Sequence, residues 1–382
     1  MRLLTKINHF ISGPIKTRIW WSYRKKWKNT KKICPHRFTP RSPQAEREYL
    51  EFWKGFKFKP SLENYRYIAN MSDVDDKTTV SENLFYPVLE RCLNNINYST
   101  IYENKMLYDK FFKKGIFPTT VLRFIPKHFY SADYEMLSIA EAEKIVAGVK
   151  GDMIGKTVLY HCQGHGVSCY RNKDGRFIKN DGSILNLQNF CEQQNAAYIF
   201  QEVLQQCEFT KQFNPTCLNT FRTITLRLPG DEGRIVVLKT LLKVGSPNNY
   251  VDNVESGGVC VGVFPDGRLN AYATSERGEK FFASPGTGIR FEGLYVKDIK
   301  RIHELAIHLA SQIQELRILS MDIALDEKNE PRCIEINSAS QSPSNYFTYG
   351  ESLFGEHATL VRDYCLKHQY DVDEFNYLRT IS

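Results

Sequence analysis

The sequence predicts an α+β protein with a helical, strongly basic extension at its N-terminus. Three observations support this class. Residues 221–228 and 234–244 are strand-like runs joined by a short turn rich in Pro, Gly, Asp and Glu. Residues 319–326 and 331–337 alternate apolar and polar positions, as the strands of a second hairpin do. Between the two hairpins, residues 299–316 place apolar residues at spacings of three and four, which indicates an amphipathic helix packed on a sheet.

The chain of 382 residues is long enough for two or three packed lobes, and its composition (42% hydrophobic, 25% charged) is that of a globular protein. No internal repeat or low-complexity tract interrupts it. We expect a basic aromatic arm over 1–45, a helical connecting region over 46–99, two α+β lobes over 100–203 and 204–370, and a tail over 371–382.

The net charge of +8 is concentrated in the arm. Residues 1–45 contain twelve Lys and Arg and no Asp or Glu, whereas the rest of the chain is mildly acidic. Ile19, Trp20, Tyr23 and Trp27 share one helical face among these cations. Two interpretations stay open: the arm contacts an anionic membrane surface, or its aromatic residues pack on the body of the protein. Nucleic acid is a less favoured partner, because no recognised nucleic-acid-binding module accompanies the arm.

The compartment predicted by the sequence is the cytoplasm, with a peripheral position at the inner face of the membrane as an extension of the arm hypothesis. The ten cysteines are scattered and show neither a CxxC pair nor zinc-ligand spacing, which favours reduced thiols. No apolar run approaches the roughly 20 residues that span a bilayer. Lys6, Asn8 and His9 interrupt the apolar stretch that a signal peptide would need.

Further elements follow from local patterns. Residues 157–162 and 197–203 are predicted strands, and residues 104–114 are a predicted helix that ends before Gly115. Ser81 is the predicted N-cap of a helix over 82–95.

The second hairpin carries the most informative polar residues. A tight connection at 327–330 places Asp322 opposite Glu335, with Asn337 on the same face of its strand. Two carboxylates about 4–5 Å apart repel by about 3–4 kcal/mol at an effective dielectric constant near 20, so a shared proton or a divalent cation must offset them. Three oxygen ligands with room for water and phosphate are how magnesium is usually held. The alternative is that these residues are solvent-facing groups of an edge hairpin.

Taken together with other segments, this hairpin resembles the ATP-grasp signature Asp…Glu-x-Asn. The chain is similar to that superfamily, and within it to the sugar-transfer-associated, polysaccharide-linked group, over roughly residues 100–365. The matching segments, in chain order, are Asn104-Lys105 with the following helix and Gly115-Ile-Phe-Pro118, Gly164-His-Gly166-Val, Ile199-Phe-Gln-Glu202-Val-Leu204, Asn219-Thr-Phe-Arg222, and Asp252-Asn253-x-x-Ser256-Gly257-Gly258.

The resemblance implies two lobes with ATP between them and magnesium, as two ions, at the hairpin. The residues it assigns to the nucleotide are Lys105, Tyr160, Gly164, Gly166, Gln201, Glu202, Leu204 and Glu208. The residues it assigns to catalysis are Arg222, Lys243 and Asn253, and those it assigns to the metal are Asp322, Glu335 and Asn337.

One departure from the family pattern bears on function. The strand expected at 157–162 should carry a Lys-Pro pair whose lysine contacts the nucleotide, but Tyr160 or His161 stands there. Lys156 is expected to lie outside that strand. The loss of one cation over a triphosphate predicts weak ATP binding.

Several polar residues have an ordinary structural explanation beside the functional one. Arg222 and Lys243 lie on neighbouring predicted strands and suit a phosphate or carboxylate, yet each could be a surface cation. His161 and His165 form an isolated HxxxH without further metal ligands. Gln341 and Tyr346 follow the metal strand and could line a substrate pocket or face solvent.

The sequence therefore favours an ADP-forming ligase that joins a small-molecule or saccharide carboxylate to an amine through an acyl-phosphate, in cell-surface polysaccharide modification. The alternatives are a kinase-like phosphotransferase and a catalytically weak nucleotide-binding module of a surface-assembly complex. The intact Asp/Glu/Asn set favours the two enzymes, and the apparent loss of the lysine favours the module.

Overall fold

The computed structural model describes residues 2–158, 166–247, 257–275, 278–349 and 352–369. Within them the α-helices are α1 (Arg2–Ile33), α2 (Pro43–Phe52), α3 (Leu62–Ser72), α4 (Glu82–Leu84), α5 (Glu90–Leu93), α6 (Ile96–Tyr102), α7 (Tyr108–Phe111), α8 (Ile139–Ala147), α9 (Leu187–Gln193), α10 (Glu208–Lys211), α11 (Ile299–Ser311) and α12 (Ala358–His368). A π-helical segment spans Phe85–Leu89, and 3-10 turns span Pro35–Phe38, Lys105–Leu107, Pro343–Tyr349 and Gly355–His357.

The strands form two antiparallel sheets of seven described strands each, which confirms the α+β class. The first sheet has the order β3-β2-β1-β7-β4-β5-β6 and the second β12-β11-β10-β9-β8-β13-β14. The strands are β1 (Thr120–Ile125), β2 (His128–Tyr130), β3 (Met136–Leu137), β4 (Met153–Thr157), β5 (Val167–Lys173), β6 (Arg176–Lys179), β7 (Tyr198–Glu202), β8 (Thr220–Arg227), β9 (Ile235–Val244), β10 (Val259–Val263), β11 (Leu269–Thr274), β12 (Lys280–Phe281), β13 (Ile318–Leu325) and β14 (Pro331–Asn337).

The second sheet is buried on both faces. On one face, Ile302 and Leu309 of α11 join the core cluster that contains Phe221 and Met321. The other face belongs to the core formed by the helical region, and the residues that share that core are Trp53, Phe85, Leu89, Ile224, Leu226, Leu241 and Ile318. Burial on both sides explains why every residue of β13 is buried, polar ones included. A charged side chain on this strand must therefore find its partner within the protein.

The first sheet has a smaller core of its own with α8 and α9, in which Ala142 and Phe190 meet Phe124 and Phe200. Its strand β4 must approach its neighbours closely: a Cβ at Gly155 would lie 2.4 Å from Tyr198 Cε1. Only glycine fits this position without displacing the tyrosine ring.

Three predicted elements are corrected. The strand placed at 157–162 is β4, Met153–Thr157, because antiparallel pairing with β7 runs from Met153↔Glu202 to Thr157↔Tyr198. The helix predicted over 104–114 is a 3-10 turn followed by the short α7. Ser81 is the N-cap residue as predicted, but the helix predicted over 82–95 is divided into α4, the π-helical segment and α5. The hydroxyl of Ser81 makes no capping hydrogen bond and accepts one from Ser61 N at 3.3 Å. Tertiary pairing decided the bounds that local patterns could not.

The C-terminal half of α1 packs on the body, as the second interpretation of the arm expects. Trp20 Nε1 donates to the carbonyl of Lys59 at 3.1 Å, and Tyr23 stacks on Tyr86 with ring centroids 4.2 Å apart. The indole of Trp27 is buried and donates to Glu82. Among the residues that the structure describes, no helix is long and apolar enough to span a bilayer.

Candidate active site

The β13–β14 hairpin brings Asp322 opposite Glu335, which confirms the predicted pairing. Near the turn, the register differs from the one that a tight connection at 327–330 predicts. The hairpin closes with Leu325 opposite Pro331, and a bulge between Asp322 and Ile323 then shifts the register by one residue. Because of the bulge, the side chains of β14 do not alternate regularly between the two faces of the sheet. Cys333 joins the core and Ile334 lines a cavity.

Asp322 is held by two cations on neighbouring strands. Arg222 lies directly opposite on β8 and makes two hydrogen bonds to the carboxylate, Nε to Oδ1 at 2.8 Å and Nη2 to Oδ2 at 2.7 Å. Lys243 on β9 adds a contact of 3.4 Å to Oδ2. Burial alone would raise the pKa of Asp322, but Arg222 and Lys243 hold that pKa well below its usual range. The carboxylate is therefore ionised and already neutralised in this state.

Glu335 has a cation of its own. Lys105, at the N-terminal end of the segment before β1, places Nζ 2.6 Å from Glu335 Oε1. This corrects the argument that the facing carboxylates require a proton or a divalent ion, because the chain itself supplies three cations around two carboxylates. Lys105, predicted to contact nucleotide phosphates, contacts a predicted metal ligand in this conformation.

Asn337 ends β14 and begins a buried loop that two carboxyl groups hold in place. Glu103 accepts hydrogen bonds from Ser338 N at 2.8 Å and Ala339 N at 3.1 Å. Glu90 accepts one from Gln341 N at 3.0 Å, and burial raises the pKa of Glu90 to about 7. These backbone contacts fix the position from which Asn337 projects.

Gln341 and Tyr346 of this loop are both 1% exposed, so the expectation that they could face solvent is wrong. Gln341 Nε2 donates to the carbonyl of Asn337 at 3.0 Å. Within the described part of the chain, the buried atoms Asn337 Nδ2 and Gln341 Oε1 have no hydrogen-bond partner. Unsatisfied polar atoms beside two carboxylates fit a site that binds a polar group.

The side chains present fit a magnesium ion. Asp322, Glu335 and Asn337 occupy neighbouring positions on β13 and β14, and carboxylate and amide oxygens are the ligands that magnesium takes. The unpartnered amide of Asn337 can present its oxygen, because the O and N atoms of an amide are interchangeable in assignment. The residues described contain no cluster of three or more His, Cys, Asp or Glu that could hold a metal.

A cavity of about 1150 Å³ lies between the two sheets and is lined by residues from both. Ile154 and Lys156 line it from β4, and Ile334 lines it from β14, next to Glu335. The predicted nucleotide residues Glu202, Leu204 and Glu208 also line it. The cavity therefore reaches the hairpin that carries the carboxylates.

Lys156 overturns the expectation that this strand lacks a lysine. It lies inside β4, where it pairs with Ile199 and Val167, and its side chain is mostly buried at the cavity. The sequence signal was present as a lysine before an apolar run, but the strand was placed four residues too late. Strand β4 therefore brings a lysine to the cavity, in contrast to the sequence-based expectation that Tyr160 or His161 stands in its place.

The remaining predicted residues divide into two groups. Tyr160, Gly164 and Asn253 lie outside the described residues, as do His161 and His165 and the tail over 371–382. Gly166 is described: its φ of 81° needs glycine, and its carbonyl accepts a hydrogen bond from Thr157 N at 3.1 Å.

Gln201 does not line the cavity. Its side chain is buried and donates to the carbonyl of Pro118 at 3.3 Å, so a direct contact of this side chain with the nucleotide is not supported. Glu90 and Glu103 were missed, because a lone acidic residue in a helical segment has no sequence signal that distinguishes it from a surface charge.

Comparison with known proteins identifies the class. The family model of the sugar-transfer associated ATP-grasp proteins matches residues 89–361, which is more than half of the chain. The chain therefore belongs to the sugar-transfer associated ATP-grasp family. A comparison with curated proteins finds no match.

Several solved structures are similar to this chain at low sequence identity. N5-carboxyaminoimidazole ribonucleotide synthetase from Thermotoga maritima is 12% identical, with coverage of 70% of this chain and 51% of that one and a TM-score of 0.39. D-alanine-D-alanine ligase from Coxiella burnetii is 9% identical, with coverage of 75% and 63% and a TM-score of 0.41. L-amino acid ligase from Bacillus licheniformis is 15% identical, with coverage of 71% and 49% and a TM-score of 0.36. This chain spans about half to two thirds of their lengths.

Proposed function

We propose that this protein is an ATP- and magnesium-dependent ligase that joins a carboxylate to an amine or a similar nucleophile and releases ADP. The observation that carries the proposal is the position of the Asp322–Glu335 pair, one residue from the cavity-lining Ile334. Family membership supports the use of ATP. The cavity between the sheets supports a nucleotide lying with its phosphates towards this hairpin.

The nucleotide-binding residues follow from the cavity. Glu202 and Leu204 would hold the base edge, because both line the cavity where β7 ends. Lys156 would contact the phosphates, since a lysine on a triphosphate makes charge-assisted hydrogen bonds. Glu335, Asn337 and Asp322 would hold magnesium, which neutralises phosphate charge and orients the phosphoryl group.

The chemistry would proceed in two transfers. An oxygen of the substrate carboxylate attacks the γ-phosphorus, a new P–O bond forms and the bond to ADP breaks. The amine nitrogen then attacks the acyl carbon, phosphate leaves and the nitrogen loses a proton. Arg222 is suited to stabilise the developing anion, because its guanidinium is held rigidly by both oxygens of Asp322.

The substrate class is a small-molecule or saccharide carboxylate in cell-surface polysaccharide modification, a role that the family description supports. We place the reaction in the cytoplasm at the inner face of the membrane, with residues 1–45 touching an anionic surface. The sequence shows neither a CxxC pair nor zinc-ligand spacing among its cysteines, which fits a reducing compartment.

The test is a turnover assay with labelled ATP, magnesium and a panel of amino acids and sugar acids, each with and without amine acceptors. Carboxylate-dependent formation of ADP with an amide product supports the ligase. AMP as the product, or ADP with a phosphorylated hydroxyl, would replace the ligase with another ATP-grasp reaction. Nucleotide binding without any turnover across the panel would favour the binding module.

A further inference from the structure

The helix α1 (Arg2–Ile33) presents opposite faces to the protein and to its surroundings. Its inner face packs on the helical region through Trp20, Tyr23 and Trp27. Its outer face is exposed, and the residues on it are Arg18, Trp21, Lys25, Lys28 and Lys32. Their spacing of three and four places them on one line of the helix, opposite the packed face. Trp21 is 55% exposed within this line of cations.

The sequence extends the spacing of this line towards the N-terminus of α1. Positions seven apart in an α-helix differ in direction by only about 20°. Positions 4, 11, 18, 25 and 32 are seven residues apart, so they share nearly one direction on an α-helix. The sequence has Leu4 and Ile11 there, with Ile7 and Ile15 at helical spacings beside them. In the sequence, the positions at this interval thus change from apolar residues before position 16 to cations after it.

This pattern is typical of a helix that lies in a membrane interface, with apolar residues in the acyl boundary and cations at lipid phosphates. Residues 2–16 cover about 22 Å as a helix, too short to cross a bilayer. The complete absence of Asp and Glu from residues 1–45 makes the surface complementary to anionic lipid. A soluble polyanion would use the cations but would have no use for the apolar positions.

We propose that α1 is an interfacial anchor with two parts. Residues 2–16 lie in the headgroup region of an anionic bilayer, and the outer cations of residues 18–32 rest on the lipid phosphates. The packed inner face then holds the two sheets at a fixed distance from the membrane. The anchor deepens the membrane contact of the proposed function, and its use in presenting the cavity to a membrane-held substrate rests on that function.

The test is co-sedimentation of the full chain with phosphatidylcholine vesicles with and without phosphatidylglycerol. Lys25→Glu/Lys32→Glu tests the cations and Leu4→Asp/Ile11→Asp tests the apolar positions. Lys144→Glu/Lys150→Glu, at exposed positions on or next to α8, is the control of equal charge change. Each cation near an anionic surface corresponds to about a fivefold change in binding. We therefore expect both anchor variants to lower partitioning by more than tenfold and the control by less than twofold.

The outcomes separate the alternatives. If Leu4→Asp/Ile11→Asp binds vesicles as the unmodified protein does, residues 2–16 do not enter the interface and the proposed anchor is wrong, because the cations of residues 18–32 then bind the lipid surface alone. If the two charge-reversal variants behave alike, α1 has no special role. Nucleotide binding is measured on the same samples without vesicles, so a failure of the proposed ATP site is seen separately from a failure of the anchor.

Discussion

Lys105 Nζ lies 2.6 Å from Glu335 Oε1, so the ammonium group of Lys105 is paired with a carboxylate that the proposed magnesium site requires. With Arg222 and Lys243 on Asp322, the centre holds more positive than negative side chains. A free divalent cation would meet repulsion here. A nucleotide supplies anionic phosphates that Lys105 can contact instead, so we infer that magnesium enters together with ATP.

Lys105→Met should therefore strengthen binding of the metal alone and weaken binding of ATP. The loss of one charge-assisted contact corresponds to about 1.5–3 kcal/mol, or roughly tenfold or more in each affinity. Electron paramagnetic resonance of free Mn²⁺ measures the first effect, and calorimetry with a non-hydrolysable nucleotide measures the second. Lys114→Met, an exposed lysine paired with Asp133, is the control. Unchanged Mn²⁺ affinity in Lys105→Met would show that the pair does not restrict the metal.

Glu335→Gln should abolish magnesium-dependent turnover and leave the fold intact. The substitution removes a ligand charge at a partly exposed position and takes no apolar contact from the core. Turnover and the thermal midpoint are measured together, with the exposed Glu304→Gln on α11 as the control. Turnover at the unmodified rate would mean that Glu335 is not a ligand, and loss of folding would mean that the hairpin is structural first.

The hairpin shows how far the sequence could predict this site. Counting inward from a tight connection at 327–330 predicts that Asp322 pairs with Glu335, and the structure has this pair, but it reaches it from a closure at Leu325 because a bulge shifts the register by one residue. The bulge that moves Ile334 into the cavity depends on packing across three strands, and no local pattern encodes it. Lys105 could be assigned to the nucleotide by resemblance, but its contact with Glu335 joins residues 230 apart in the chain.

The strand β4 shows the opposite case. An apolar run predicted its position, and the pairing of Lys156 with Ile199 places it earlier. Because the sequence predicts this strand too late in the chain, it does not predict Lys156 at the cavity. Weak ATP binding is then expected for a lysine that is only apparently missing. The two sheets follow from periodicity, whereas the exact strand bounds follow from partners that are distant in sequence.

Lys156→Met should weaken ATP binding by about tenfold or more, because it removes a charge-assisted contact at the cavity. Tyr160→Lys and His161→Lys, which a missing lysine would have made stabilising, should give no comparable gain. Calorimetric titration with the nucleotide compares all three, with the exposed Lys150→Met as the control. If Tyr160→Lys bound the nucleotide more tightly and Lys156→Met bound it with unchanged affinity, Lys156 would not contact the nucleotide. Position 160 would then be the place where the family's lysine is missing.

Arg222→Met should lower the free energy of unfolding by about 3–5 kcal/mol, because it leaves the buried Asp322 with Lys243 as its remaining cation. The depressed pKa of Asp322 contributes stability that is present above its unfolded pKa and is lost as pH falls through the folded value. In Arg222→Met the folded pKa of Asp322 is higher, so that loss should be smaller and should be complete at a higher pH. Urea unfolding between neutral and acidic pH measures both effects. Arg222→Met/Lys243→Met/Asp322→Leu, which removes all three buried charges together, should regain most of the stability. If it does not, the cost of Arg222→Met lies in packing and not in the buried carboxylate.

Glu90 gives the chain a pH dependence of the opposite sign. Burial raises its pKa to about 7, well above the usual value near 4.3, so the folded protein binds this proton more tightly than the unfolded chain. The resulting stability is fully present below about pH 4 and is lost as pH rises through about 7. Glu90→Gln keeps an acceptor for Gln341 N and removes the titrating proton. Relative to the unmodified protein, the variant should therefore gain stability from pH 5 to pH 8, by up to about 3 kcal/mol.

Urea unfolding at the two pH values measures the difference, with the exposed Glu143→Gln on α8 as the control. The stability difference between Glu90→Gln and the unmodified protein could instead be the same at both pH values. That result would mean that Glu90 is ionised throughout this range, and that its carboxylate and not its protonated form holds the loop after Asn337.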